Sequence, residues 1–381
     1  MSFSAADREF MARALELARR GLYTATPNPR VGCVIVRDGT VIGEGWHEMA
    51  GRPHAEINAL ADVVRKVGTP RALPSGRVGG TVRGATVYVT LEPCSHHGRT
   101  PPCADALIDA GVTRVVAAMR DPNPLVAGEG LARLELAGIR VDSGLMEDEA
   151  RELNIGFVSR MTRGRPWLRL KVAASLDGKT ALNNGRSQWI TGPEARRDAH
   201  AWRARSCAMF TGIGTVRDDD PRLTVRDVDG IDTPRQPLRV VVDSRLEISL
   251  DAAILADGHA LVACAVEQPE KAAQLRARGV DVLALPNAVG KVDLPALLTE
   301  LGRRGINEVM AEAGFRLNGS LLREGLVDEL LIYQAPLLLG DKARGMFDLP
   351  ELEDLAGARR LEVLERHAFG ADLFLRARLP E

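Results

Sequence analysis

The sequence predicts an α/β protein of two domains, a three-layer unit followed by a unit built on a mixed sheet. Short apolar runs alternate with helical periodicity along most of the chain. The 381 residues are long for one core and comfortable for two. The last strand-like runs follow one another with no helix between them.

The first element is a helix, because AADREFMARALELARRG sets Phe10, Ala14, Leu17 and Ala18 on one face and stops at Gly21. A hairpin follows: VGCVIV and TVIGEGW flank Asp38-Gly39, a pair that tolerates the positive φ of a type I′ turn. HAEINALADVVRK carries Ile57, Leu60, Ala61 and Val64 at helical spacing, which puts His54 and Glu56 in a first turn. Residues 67–84, rich in Gly, Pro and Arg, predict a loop. Strand ATVYVTL, helix CADALIDAG, strand VTRVVAAM, helix GEGLARLELAG and strand IRVDSG complete the first pattern. EDEARELNIGFVSRMTRG predicts a helix packed between domains, and PWLRLKVAASL resumes strand character. The boundary is therefore placed near 147, giving domains 1–147 and 148–381. Beyond it, apolar strands at 207–212, 238–242, 259–266, 280–285 and 307–311 alternate with helical patterns. DELLIYQAPLLL and ADLFLRARL add two strands on either side of LEVLERHAF.

Composition narrows the function. Fifty basic residues against 51 acidic ones provide no global field to collect nucleic acid or anionic membrane, so a small substrate is expected. No apolar run approaches the roughly 18 residues that span a bilayer, and MSFSAADREF has no apolar core, which predicts a soluble cytoplasmic protein. Five cysteines, an odd and sparse number, suit a reducing compartment and metal ligation better than disulfides. Cys33, Cys207 and Cys264 sit in apolar runs and read as core thiols.

The chemistry concentrates in HAE and, some forty residues on, PCSHHGRTPPC. Alone, an HxE pair on a helix is a solvated pair and a cysteine is a small core residue. Together His54, Cys94 and Cys103 make three zinc ligands and leave the fourth position to water, with Glu56 as proton carrier. A fourth ligand from His47, His96 or His97 would instead close a structural site. Cys103 opens a helix, whose N–H groups are expected to favour its thiolate. HxE with PCxxC is the nucleobase deaminase signature. Here eight residues, SHHGRTPP, separate the cysteines, and the basic loop suggests a phosphorylated substrate.

PNPRVGCVIV, GRPHAE, VTLEPCSHHGRTPPC and DPNP closely resemble the deaminase half of the bifunctional riboflavin-biosynthesis deaminase/reductase family. The resemblance continues through KVAASLDGKTA, SQWIT, DDPRLTVR, AEAG and LVDELLIY. It implies a cytidine-deaminase-like domain followed by a dihydrofolate-reductase-like one. It also implies deamination of a 2,5-diamino-6-(5-phosphoribosylamino)pyrimidin-4-one at one zinc per chain, then NADPH reduction of the ribosyl chain to ribityl. By the same resemblance Asn28, His47, His96 and Arg99 hold the deaminase substrate. Ala173, Trp189, Thr215, Asp219, Ser244 and the run Gly314, Phe315, Arg316, Leu317, Asn318, Gly319, Ser320 match NADP-contacting positions. Ser187, Arg203, Leu223, Arg226 and Glu312 match reductase substrate positions. Read alone, Trp189 and Leu223 are core and Arg226 a surface charge.

No GxGxxG follows any strand, and AASLDGKT has Ala173 where a phosphate loop needs its first glycine, which argues against nucleoside-triphosphate hydrolysis. GFRLNGS follows the strand NEVMAE and opens a helical run, so its N–H groups could meet a pyrophosphate. Lys171 and Glu312 are the candidates for polarising the Schiff base of the ring-opened ribosylamine or guiding its proton. A homo-oligomer is expected. The alternatives are a nucleobase or nucleic-acid deaminase with an accessory α/β domain, disfavoured by the charge balance and 4% aromatics, and a binding protein that has lost activity.

Overall fold

A computed structural model describes residues 3–67, 81–96, 101–124, 126–226, 228 and 235–380. The chain forms two compact units, Met1–Gly164 and Arg165–Glu381.

In the first unit the order is α1 (Ala5–Arg19), β1 (Gly32–Arg37), β2 (Thr40–Trp46), α2 (Ala55–Val67), β3 (Thr86–Val89), α3 (Cys103–Ala110), β4 (Arg114–Ala117), α4 (Glu129–Leu136), β5 (Arg140–Ser143), α5 (Glu147–Leu153) and α6 (Ile155–Arg163). Its sheet runs β2-β1-β3-β4-β5. Ser4 caps α1 through a reciprocal box with Asp7. The β1–β2 hairpin turns at Asp38 (φ 52°) and Gly39 (φ 73°), as the Asp-Gly pair predicts. Met11, Ala14 and Leu15 of α1 pack with Ala150 and Phe157 on one sheet face. Ala55, Ala59, Leu107, Leu131 and Leu134 from α2, α3 and α4 cover the other. These are the three expected layers. The helix pair α5–α6, which a boundary at 147 would hand to the second domain, belongs to this unit. The predicted loop at 67–84 lies mostly outside the described residues.

The second unit comprises β6 (Trp167–Ser175), β7 (Lys179–Ala181), α7 (Pro193–Arg205), β8 (Ala208–Gly212), α8 (Ile213–Asp219), β9 (Leu238–Val242), β10 (Ala260–Cys264), α9 (Pro269–Ala277), β11 (Asp281–Ala284), α10 (Leu294–Arg303), β12 (Glu308–Ala311), α11 (Phe315–Arg323), β13 (Glu329–Ala335), β14 (Arg344–Gly345), β15 (Glu362–Phe369) and β16 (Asp372–Arg378). The main sheet is nine-stranded, β11-β10-β9-β8-β12-β6-β13-β16-β15. Strands from β11 to β13 run parallel, whereas β16 and β15 are antiparallel, so the sheet is mixed as expected. LEVLERHAF is itself the edge strand β15. Leucines of α10 and α11 pack on Leu168, Leu170 and Val309 on one face. Val216, Leu275 and their neighbours, with Ala195 and Ala199 of α7, cover the other.

Four strands share a buried ionic network. Arg169 on β6, fully buried, pairs with Glu308 on β12 and with Glu329 on β13 at 3.2 Å. Arg376 on β16 reaches Glu329 at 2.5 Å. Neither carboxylate faces the solvent.

Candidate active sites

His54 immediately precedes α2, and its carbonyl accepts the N–H of Asn58, so the ring is delivered by the helix start. Cys103 opens α3 and Cys94 lies beyond β3. Their sulfurs stand 3.4 Å (Cys103) and 3.6 Å (Cys94) from His54 Nδ1. The three ligand atoms all lie within 4.8 Å of one another, and no other such group occurs among the described residues. A tetrahedral zinc with ordinary Zn–S and Zn–N lengths separates sulfur from nitrogen by about 3.6 Å, so the donor set fits that ion. His47 adds no ligand: Nδ1 faces the Pro53 carbonyl at 3.1 Å and Nε2 faces Asn28 Nδ2 at 3.1 Å. With Nδ1–H donating to Pro53, Nε2 accepts from the Asn28 amide. Burial lowers the His47 pKa, which suits that neutral tautomer.

Of the two sulfurs, that of Cys94 is the hydrogen-bond acceptor. Its thiol falls to about 4, chiefly because Cys103 donates to it, and the Cys103 N–H also meets Cys94 Sγ at 3.3 Å. The Cys103 thiol is pushed up by the Cys94 sulfur and by burial. The first N–H of α3 thus turns toward the Cys94 sulfur. A dication bound here would favour both sulfurs as thiolates.

Glu56 is 3% exposed, and burial with the nearby Cys94 charge raises its pKa to about 7. A carboxyl poised there both takes and gives a proton near neutrality. His96 is exposed; Arg99 and His97 lie outside the described residues. Two residues that the sequence did not single out frame this site. Buried Glu92 accepts the N–H groups of Asp121 (3.0 Å), Gly128 (3.0 Å), Gly130 (2.8 Å) and Leu131 (3.3 Å). Asp121, in DPNP, feels the charges of Glu92, His96 and Cys94, and burial raises its pKa. A Cβ on Gly130 would stand 1.9 Å from the Pro93 carbonyl oxygen, so α4 meets the Pro93-Cys94 turn only through glycine.

In the second unit the predicted residues gather at the carboxyl edge of the parallel strands, where open α/β sheets bind ligands. Glu312, just past β12, takes Arg203 in a two-pronged pair at 2.5 and 3.0 Å, and Lys171 Nζ lies 3.6 Å away. Burial raises the Glu312 pKa, but Arg203 and Lys171 overcome it and hold the carboxyl at about 2. Burial lowers the Lys171 pKa against the pull of Glu312. Ser187 Oγ donates to Asp219 at 2.7 Å, joining a residue expected to meet substrate to one expected to meet cofactor. Ala173 pairs with Tyr333 across β6 and β13. Trp189 is 70% exposed with the Arg196 guanidinium 4.6 Å from its ring centroid, so it is not core. Leu223 is buried at φ 48°, and the exposed Arg226 donates its N–H to His200 Nδ1 at 3.1 Å. The Ser244 hydroxyl accepts from Val292 N–H at 3.3 Å.

The cofactor run divides. Gly314 caps α11, and a Cβ there would meet only Thr215 Oγ1, at 3.8 Å, leaving room for a ligand backbone. Gly319 faces inward, where a Cβ would stand 2.2 Å from the Asp348 carbonyl oxygen, so packing explains that glycine. Asn318 is buried, with Nδ2 donating to the Met346 carbonyl at 3.1 Å. An open helix start beside Thr215 and an exposed indole fit a dinucleotide.

Two family descriptions match the chain: the cytidine and deoxycytidylate deaminase zinc-binding region over residues 4–119 and the RibD C-terminal domain over 166–375. The chain is 48% identical to riboflavin biosynthesis protein RibD of Escherichia coli K12, covering 97% of this chain and 98% of that one. Identity to the Haemophilus influenzae protein of the same name is 44%, over 98% of each. Acinetobacter baumannii RibD, form 1, superposes with a TM-score of 0.89 at 45% identity over 99% of both chains. The Thermotoga maritima diaminohydroxyphosphoribosylaminopyrimidine deaminase/5-amino-6-(5-phosphoribosylamino)uracil reductase does so at 0.84 and 32%, over 98% of this chain and 99% of that one.

Proposed function

The chain belongs to the RibD family of bifunctional riboflavin-biosynthesis enzymes, and from that premise we propose which side chains perform its two reactions. It is a zinc-dependent deaminase joined to an NADPH-dependent reductase, with a cytidine-deaminase-like first domain and a dihydrofolate-reductase-like second one. The assignment of residues is carried by one observation: His54, Cys94 and Cys103 converge beside the buried carboxyl of Glu56.

In the first domain His54, Cys94 and Cys103 hold the zinc, which supplies a Lewis acid that makes water nucleophilic near neutral pH. Glu56 takes the proton released by water and passes it to the departing ammonia nitrogen. Asn28, its NH₂ held by His47, offers its carbonyl oxygen to a pyrimidine N–H. His96 and Arg99 serve the phosphorylated end of the substrate.

In the second domain Thr215, Asp219, Ser244 and the start of α11 hold NADPH, which supplies the hydride. Ser187, Arg203, Leu223 and Arg226 orient the ribosylamine in its Schiff-base form so that C1′ faces the nicotinamide. Lys171, beside Glu312, carries the proton that the imine nitrogen needs as C1′ is reduced. Five cysteines with no disulfide, two of them placed to hold a metal, suit the cytoplasm. The open edge of β15, with Leu361 and Val363 exposed, suits assembly with a second copy, which light scattering tests.

The ligand assignment is tested by metal analysis of Cys94→Ser. Zinc should fall from one per chain to near zero, and full retention would refute it.

A further inference from the structure

Between α7 and the sheet face that carries Lys171 lie two polar side chains that neither reaction uses, Asp198 of the helix and Tyr333 of β13. Tyr333 is 1% exposed, and its hydroxyl donates to Asp198 Oδ2 at 2.5 Å. The ring packs on Phe374 at 4.8 Å and presents its face to Lys171 Nζ, 5.7 Å from the centroid. That lies within the range where a ring attracts an ammonium. A phenol that donates to a carboxylate gains electron density in its ring, so Asp198 strengthens this attraction without touching the lysine.

We propose that Asp198 and Tyr333 are positioning residues of the reductase: an anion-backed aromatic face that keeps the Lys171 ammonium charged and aimed at the substrate. The proposal rests on the reading that Lys171 serves the reduction.

The need for such a face follows from the surroundings. Lys171 loses solvation by burial and is opposed by Arg203, against the single carboxylate of Glu312 at 3.6 Å. A second carboxylate there would pair with Arg203 and compete for the substrate, whereas a ring face steadies a cation and leaves its N–H donors available. Among the described residues, the other charged or titratable groups nearby include Asp198, His200 and Arg203 of α7, Arg169 two residues back on β6, Arg376 of β16, and Glu365 and His367 of β15, whose charges reach Asp198. Arg169 and Arg376 are committed to Glu308 and Glu329. Glu312 titrates far to the acid side. Lys171 is therefore the group that loses its proton on the alkaline side.

The test uses the full-length, zinc-loaded enzyme, with NADPH oxidation on 5-amino-6-(5-phosphoribosylamino)uracil followed as kcat/KM against pH. In Tyr333→Leu the alkaline limb should move about one pH unit toward acid. Asp198→Asn and Tyr333→Phe keep the ring and lose the anion's pull, and each should move it about half a unit the same way. The KM for NADPH should stay within about two-fold, because neither residue is among those assigned to the cofactor. An alkaline limb that stays at the wild-type position in Tyr333→Leu and Asp198→Asn overturns the proposal, whatever stability is lost. If Tyr333→Leu does not fold, Asp198→Asn decides alone. Lys171→Met separates the two levels: wild-type turnover there sinks the role of Lys171 itself, whereas lost turnover beside unmoved limbs sinks only its positioning.

Discussion

Glu56→Gln replaces a carboxyl with an amide of the same shape, in a buried position that is not a ligand. Zinc content should remain one per chain while ammonia release falls by about 10²- to 10⁴-fold, the usual contribution of a positioned proton carrier. Metal analysis beside an ammonia assay checks both halves. His54, Cys94, Cys103 and Glu56 were legible in the sequence because imidazole, thiol and carboxyl in that pattern have few other uses. Glu92, Asp198 and Tyr333 were not. A glutamate that collects four amides, or a tyrosine whose hydroxyl is spoken for, looks in sequence like any other, since its partners arrive from 29 to 135 residues away. The contact at Cys94 was hidden for a related reason: helix position points to the thiol at its start, whereas the N–H of Cys103 meets the sulfur nine residues earlier.

At the level of elements, α4 and the turn before it depend on a glycine contact. Gly130→Ala should push Pro93 and with it Cys94, at a cost of about 1 to 3 kcal/mol from overpacking. Faster zinc loss to a chelator, with helix content unchanged by circular dichroism, is the expected reading. The Arg169 network joins β6, β12, β13 and β16 in the same direct way. Glu329 sits at about 2 when folded against an ordinary 4.5, with burial opposed chiefly by Arg169 and then Arg376. A depressed carboxyl stabilises the fold above its unfolded pKa, so this contribution is whole above pH 4.5 and drains away as pH falls toward 2. Glu329→Gln should cost about 3 to 5 kcal/mol at neutral pH, because it strands buried arginines. Denaturant melts at several pH values should show the gap to wild type closing in acid. Periodicity revealed the helices and central strands, but β15 is exposed on an edge and its polar residues carry no inside-outside alternation. The α5–α6 pair was assigned past the boundary because an amphipathic helix does not say which core it covers.

For the whole molecule, each unit holds its own hydrophobic core and its own set of reactive side chains. Chelation should therefore abolish ammonia release while leaving NADPH oxidation on the already deaminated substrate within about two-fold of the untreated rate. A parallel loss of both activities would show that the reductase depends on the metal-bearing domain. Two-domain organisation was visible from length and pattern. One further consequence comes from the carboxylate of Glu92. Because it gathers the amides of Asp121, Gly128, Gly130 and Leu131, removing that one carboxylate would release two pieces of backbone at once, a single step from the Pro93-Cys94 turn.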